Sequence, residues 1–392
     1  YKQTELGLIP EDWEVKKFNK FSKFYSGGTP LTSKSEYYGG EIPFIKSGEI
    51  YYDRTEQFLT QEGLNNSSAK LVYRGDLLYA LYGANSGEVA ISQLEGAINQ
   101  AILCIQQNKD EAETIYLYNY LKLEKSNIIN KFLQGGQGNL SADIIKNLQI
   151  PLPPLPEQKK IADCLSTWDC AIEKQSQLIN ALTQRKKALM QQLLTGKKRL
   201  PGFEGKWNLN SINDLFIFKN GKAHENDIDE NGKYILVNSK FISTDGEISK
   251  KTNSNLAPLE VNDLVFVMSD VPNGKALAKF CLIKEDNLYT LNQRIGLLKI
   301  KKGNPIFMYY LLNRNSYFLM FDNGVGQTNL RKDDILDCPL NIPSLSEQTA
   351  IAEILATADR ELTLQKEKLA QLQTQKKGLM QVLLTGKKRL LN

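Results

Sequence analysis

The chain reads as an α/β (α+β) protein: two mixed α/β domains separated by a pair of long helices that form a coiled coil, with an internal pseudo-twofold repeat. Three features of its 392 residues predict this. Residues 157–200 match residues 347–390 at a constant offset of 190 without a gap, and 22 of those 44 positions are identical. Both copies carry apolar residues at alternating steps of four and three, the mark of a coiled-coil helix. Before each copy lie about 140 to 150 residues of short strand-like runs broken by Gly, Asn and Ser turns.

The repeat is the firmest element. LTGKKRL closes both copies, at 194–200 and 384–390. The same offset carries Gly136, Gln137, Asn139, Leu140 and Asp143 onto Gly326, Gln327, Asn329, Leu330 and Asp333. Farther upstream only landmarks survive: Trp13, Phe24 and Gly27 parallel Trp207, Phe218 and Gly221, and Asn99-Gln100 parallels Asn292-Gln293. The chain is two tandem copies of one unit. Its four segments are a first globular domain (1–150), a first spacer helix (151–200), a second globular domain (201–340) and a second spacer helix (341–392). One scaffold with diverged surfaces suits two domains that do the same kind of job on different targets.

The helical seam follows from the heptad. In the first copy it runs through Ile161, Leu165, Trp168, Ile172, Gln175, Ile179, Leu182, Lys186, Leu189 and Leu193. In the second it runs through Ile351, Leu355, Ala358, Leu362, Gln365, Leu369, Leu372, Lys376, Leu379 and Leu383. The polar exceptions fall at the same two places. A sustained 3.5-residue period predicts a left-handed coiled coil, and one chain with two such helices can pair them with each other. Ser344 to Glu347 has capping-box spacing, Pro154 and Pro156 suit a first helical turn, and Gly196 and Gly386 suit the stops. Residues 157–195 would make a rod on the order of 58 Å, which predicts two domains held apart. Lys197, Lys198, Arg199 and their copies Lys387, Lys388 and Arg389 suit either the negative end of the helix dipole or a phosphate or partner contact.

The globular segments predict a small mixed sheet. Strand-like runs stand at 41–50, 97–105, 233–242 and 262–269, and helical runs at 113–123 and 305–315. Their charge is close to balanced: residues 1–150 carry 15 basic against 18 acidic side chains, and residues 201–340 carry 17 against 17. The net charge of +5 therefore sits in the helical segments. If the domains touch nucleic acid they do so with local patches, or a partner neutralises most phosphates.

Catalytic chemistry finds no support. The single histidine, His224, lies in a strongly polar stretch where a solvated loop is expected, which leaves no triad and no His-based acid–base pair. The five cysteines are scattered without a Cys-x-x-Cys pair and are expected to be reduced thiols in a cytosol, with no metal site. No phosphate-binding loop ends in Gly-Lys-Ser/Thr. Asn304-Pro305-Ile306-Phe307 lacks the second proline of the Asn-Pro-Pro-Phe found in adenine methyltransferases, and reads as a helix start. No apolar run has the roughly 18 residues a membrane helix needs. No catalytic residue and no cofactor of its own are expected.

Loops rich in amides, basic side chains and tyrosines are what base readout requires, because Asn and Gln pair with adenine and Arg and Lys with guanine in the major groove. In the first copy the candidates are Lys34, Tyr37, Tyr38, Lys46, Ser47, Tyr82, Asn85 and Ser86. In the second they are Lys222, His224, Asn238, Lys240, Asn273 and Lys275. Ordinary glycine-rich turns account for such loops equally well.

The order of variable domain, PLPPLPEQKKIADCL, long helix, variable domain, IPSLSEQTAIAEIL, long helix resembles the specificity subunit of type I restriction-modification systems. So does GGTP at 27–30 followed by YYGGEIPFIKSGEI at 37–50, whereas the second copy departs with NGKA at 220–223. The resemblance implies two target-recognition domains, each reading one half of a bipartite site in double-stranded DNA, and helices that set the spacing and dock two methyltransferase subunits. It also implies that S-adenosylmethionine sits on those partners, that ATP and Mg serve separate restriction subunits, and that the whole is cytoplasmic. A coiled-coil protein-interaction adaptor without DNA specificity is the competing reading; it explains the helices but not two diverged domains of matched order.

Overall fold

The structure is a computed structural model that describes residues 1–132, 140–271, 274–322 and 324–390. It divides into two compact units, residues 1–176 with 367–392, and residues 177–366. Each long helix, Leu155–Leu193 and Leu345–Leu383, therefore contributes one end to each unit.

The first unit is built on an antiparallel sheet in the order Ser22–Ser26, Ile102–Gln107, Leu77–Ala80, Val89–Ile91. Leu77–Ala80 is buried throughout, and its alternation sorts the side chains to two cores. Leu77 and Tyr79 face one, with Tyr116 and Leu121 of the helix Thr114–Phe132 and with Ile161, Leu165 and Leu383 of the long helices. Leu78 and Ala80 face the other, with Ile45, Val72 and Ile98 of a second sheet. Burial on both faces is why such strands read as continuous apolar runs. The second sheet runs Phe58–Leu59, Tyr38–Ile45, Gly96–Ile98, Lys70–Val72, and its central pair is parallel.

The second unit repeats this plan. Phe216–Asn220, Ile295–Ile300, Leu264–Val267 and Phe280–Leu282 form the antiparallel sheet. Leu264 and Phe266 face the helix Pro305–Leu312 and the long-helix residues Leu193, Ile351 and Leu355. Val265 and Val267 face Val237 and Leu291 of the sheet Lys250–Thr252, Tyr234–Val237, Tyr289–Leu291. In both units the parallel pair lies across the antiparallel sheet from the long helices.

Within each unit the helices meet antiparallel. Ile161 and Leu165 pack with Met380, Leu383 and Leu384 in the first unit, and Leu189 and Leu193 with Ile351 and Leu355 in the second. All twenty seam positions are buried or half-buried, Lys376 among the buried ones. Lys376 donates to Asp169 at 2.5 Å in the first unit, and Lys186 donates to Asp359 in the second. The helices stop at Gly196 (φ +68°) and Gly386 (φ +71°). There the backbone turns left-handed and Lys198 N and Lys388 N reach back to Gln192 O and Val382 O.

Four local expectations are revised. The runs 97–105 and 233–242 are not single strands: the first breaks at Asn99, whose Oδ1 accepts from Ala101 N, and the second ends at Asn238, which caps the helix Ser239–Ser243 by accepting from Phe241 N. Glu347 does not close a capping box, because its carboxylate is taken by Arg199. The two arginines of the basic clusters gain a role that neither alternative named, because Arg199 pairs with Glu347 and Arg389 with Glu157.

Candidate nucleic-acid interface

In the first unit the parallel strands end together at Ile45 and Ile98, and the residues just past them, Lys46 and Asn99, line one cleft of about 330 Å3 with Thr29, Thr32, Tyr38 and Gln57. Gly27 makes this possible: a Cβ there would lie 1.7 Å from Ile98 O. Thr29 Oγ1 donates to Gln100 Oε1 at 2.7 Å, and Tyr38 donates to Pro30 O, which pins the 27–40 loop over the turn. Glu49 Oε2 accepts from Lys46 N and shapes the 46–50 turn. Gly48 lies against Asn85 Nδ2, bringing Ser47, Asn85 and Ser86 into one loop cluster. Tyr51 and Lys125 both donate to Glu88 and brace that cluster against the helix Thr114–Phe132. Those hydrogen bonds hold Glu88 below the usual carboxylate range against the opposing effect of its burial.

Two first-copy candidates lie elsewhere. Tyr37 is 6% exposed, too little to meet a base; Gly63 packs against it and Lys34 Nζ stands 5.2 Å over its ring. Tyr82 packs on the helix-side core. Lys34 itself is exposed, with Glu36 at 3.8 Å.

In the second unit the parallel strands end at Val237 and Leu291, followed by Asn238 and Asn292. Gly221 approaches Asn292 O as Gly27 approaches Ile98 O, with 2.2 Å left for a Cβ. Lys222 N donates to Leu291 O, so the exposed Lys222 side chain starts beside Asn292. His224 is a correction: it is 0% exposed, not solvated, and is removed from the contact surface. Its Nδ1 lies 2.8 Å from Lys222 O and its Nε2 3.0 Å from Thr290 Oγ1. A carbonyl only accepts, so Nδ1 carries a proton and donates to Lys222 O. The ring ties the 218–233 loop to the strand before Asn292. Lys240 and Lys275 are exposed, and Asn273 lies outside the described residues.

Sequence reading missed the residues that shape these loops. Asp270 accepts from the backbone N of Val271, Ala276 and Leu277 and so organises the loop that carries Lys275. Asn99 and Asn292 were visible as paired landmarks, yet their roles were not: each caps its own turn, Asn292 by accepting from Arg294 N at 3.4 Å. Among the described residues no group of His, Cys, Asp and Glu is placed to hold a metal ion, and no helix is long and apolar enough to cross a membrane. Chemically the loops offer ammonium and amide donors, in the first unit beside a small cleft. That suits acceptor-rich surfaces, phosphates and base edges alike.

Comparison with known proteins places this geometry. The model of a family described as the type I restriction modification DNA specificity domain matches residues 10–184 and 204–374. The type I restriction enzyme MjaVIII specificity subunit of Methanocaldococcus jannaschii is 27% identical, over 100% of this chain and 96% of the relative. The EcoR124I/EcoR124II specificity subunit of Escherichia coli is 25% identical over 43% of this chain and 44% of its own. Among solved structures, the S subunit of a type I restriction-modification system from M. genitalium aligns at a TM-score of 0.60 with 16% identity, covering 95% of this chain and 96% of that one. A chain from a study of complex assembly and conformational transition of the type I R-M system aligns at 0.63 with 15% identity, covering 97% and 100%. At those identities the two structures speak for the fold.

Proposed function

Since the chain belongs to the type I restriction modification DNA specificity domain family, we infer that it is the DNA-reading subunit of a type I restriction-modification complex. Each recognition domain reads one half of a bipartite site in double-stranded DNA. The long helices set the spacing between halves and dock two methyltransferase subunits, with restriction subunits joining the larger assembly in the cytoplasm. The chain itself is non-catalytic and carries no cofactor: S-adenosylmethionine belongs to the methyltransferase partners, and ATP and Mg to the restriction subunits.

One observation carries this reading. The two units keep the same frame, parallel strands ending under a close glycine and beside a capped Asn-Gln turn, while the side chains around that frame differ. A binder of one common partner has no use for divergence at such a position, and a reader of two different half-sites requires it. The near-neutral domains leave bulk phosphate attraction weak, so affinity is expected to depend on the methyltransferase partners and specificity on this chain. An adaptor without DNA specificity would leave both loop faces without a purpose.

The experiment is methylome sequencing of a strain that expresses the chain with its methyltransferase, together with DNA binding at several salt concentrations. A bipartite methylated motif, and binding that weakens with salt, are expected. Methylation without a defined motif would refute the reading.

A further inference from the structure

We propose that Lys46 is the specificity-determining residue of the first recognition domain, reading the acceptor edge of a guanine, and that Asn238 holds the corresponding position in the second. This rests on the DNA-reading function inferred above.

The equivalence comes from strand register. Ile45 pairs with Ile98, and Val237 pairs with Leu291. One residue on, Lys46 stands beside Asn99, and Asn238 beside Asn292. The two asparagines that match each use their Oδ1 within their own turn. A residue identical in both domains cannot make them read different bases. The position that faces it in each domain is free to differ, and it does: an ammonium in one, an amide in the other.

The surroundings of Lys46 point to a ligand. Its side chain is half-buried at the cleft formed with Thr29, Thr32 and Asn99, and among the described residues no hydrogen bond or ion pair holds its Nζ. An ammonium has three N–H donors and no acceptor, and a base edge that supplies two acceptors matches it. Guanine presents O6 and N7 side by side in the major groove and is the commonest specific partner of lysine there. Lys46 lies at the carboxyl ends of two parallel strands, in a cleft it shares with Thr29, Thr32, Tyr38, Phe44 and Asn99. Asn238 Oδ1 already accepts from Phe241 N, which leaves Nδ2 as the donor it can offer. The two positions therefore offer different hydrogen-bonding patterns to DNA.

The test uses the chain assembled with its methyltransferase subunits. Methylated sites are mapped for wild type, K46R, K46M and K46Q, and binding is compared on duplexes in which each base pair of the first half-site is changed in turn. The wild type is expected to require one G·C pair that K46R also requires. In K46M the preference at that pair, about 5-fold to 100-fold in the wild type for a contact of this kind, falls to near one while the second half-site is unchanged. If K46M fails to assemble, K46Q decides: its amide should move the preference from guanine toward adenine. An unchanged first half-site in K46M or K46Q overturns the proposal, as does an equal loss of affinity on every duplex, which is the behaviour of a phosphate contact. A wild-type complex that methylates no defined motif overturns the function reading itself and the assignment of Lys46 with it.

Discussion

Arg389 forks onto Glu157, with Nε and Nη2 each 2.7 Å from a carboxylate oxygen, across 232 positions of sequence. One repeat away Arg199 does the same to Glu347, at 2.6 and 2.7 Å. Both carboxylates are almost fully buried, and each guanidinium lies 5.9 Å over a tryptophan, Trp13 in one unit and Trp207 in the other. Each unit is thus locked by the start of one long helix and the end of the other.

The lock predicts a large penalty for removing one partner. R389A leaves Glu157 buried without its counter-charge, which costs about 3–5 kcal/mol for a buried pair. R389K should recover only part of this, because an ammonium cannot fork. Urea denaturation followed by a probe in the first unit is the measurement; a loss under about 1 kcal/mol in R389A would show the pair to be a surface contact in solution.

Lys376 and Asp169 predict a different pattern. Burial pushes the Lys376 amine below its usual value, against the opposing pull of Asp169. Asp169 is about half exposed, so the lysine's burial is the dominant effect. D169A should therefore destabilise by about 1–3 kcal/mol, since it strands a buried charge. The double substitution K376L with D169A should recover most of that loss, because apolar replacement of a buried pair is often neutral or better. Denaturation midpoints of the four chains check the cycle. The depressed amine also fixes a sign: the folded state disfavours the charged lysine, so its penalty is present below its lowered pKa and relaxes as pH rises through that value.

Acid should weaken the first unit by the opposite route. The Arg389 guanidinium holds the Asp12 carboxyl below its ordinary value of 3.8, chiefly through their hydrogen bonds. A depressed carboxyl contributes stability above its unfolded pKa and loses it as pH falls through the folded one. Stability below pH 4 should therefore drop less steeply in D12N than in the wild type, by thermal melting across that range. Equal slopes would mean that Asp12 is not coupled to folding.

Gly27 and Gly221 predict strain at the recognition loops. An alanine Cβ at 1.7 Å from Ile98 O or 2.2 Å from Asn292 O cannot be accommodated without moving backbone. G27A should cost about 1–3 kcal/mol and weaken recognition of the first half-site, and G221A should do the same for the second. A G27A chain with unchanged melting and an unchanged methylated motif would show that the close approach does not persist in solution.

The spacing role of the helices predicts the effect of an insertion. Gln175 lies between Asp169 and Lys186 and Gln365 between Asp359 and Lys376, so four helical residues placed after both glutamines leave each unit's ion pair in register. They add about 6 Å, close to one helical turn, and nearly preserve the inward face. The unspecified spacer of the methylated motif should lengthen by about one or two base pairs, with the bases read unchanged. Two inserted residues should instead turn the seam by about 200° and abolish assembly. Genome-wide methylation mapping reads both outcomes, and an active four-residue variant with an unaltered spacer would remove the helices from spacing.

Much of the fold was legible in residue order because the signals are local. The heptad through Ile161 and Leu165 and again through Ile351 and Leu355, the strand-like run at 262–269, and the glycine stops at 196 and 386 each depend on neighbours within a few turns or strands. The site was legible only as a set of loops. Tyr37, His224 and Lys46 all look like available polar side chains in their local contexts, yet one is packed against Gly63, one is enclosed between Lys222 O and Thr290, and one lies half-buried at a cleft with no side-chain partner among the described residues.

What the sequence by itself determined is the duplication, the two long helices with their seams, and the strand-like character of the runs that build each domain, because period and composition are read along the chain. What only the tertiary structure decided is partnership: that Arg389 answers Glu157 and Arg199 answers Glu347, that the polar seam lysines find Asp169 and Asp359, and that Lys46 and Asn238 occupy one equivalent position. A side chain's exposure and charge partner are set by elements packed over it from up to hundreds of residues away, and no local pattern records which of them arrives.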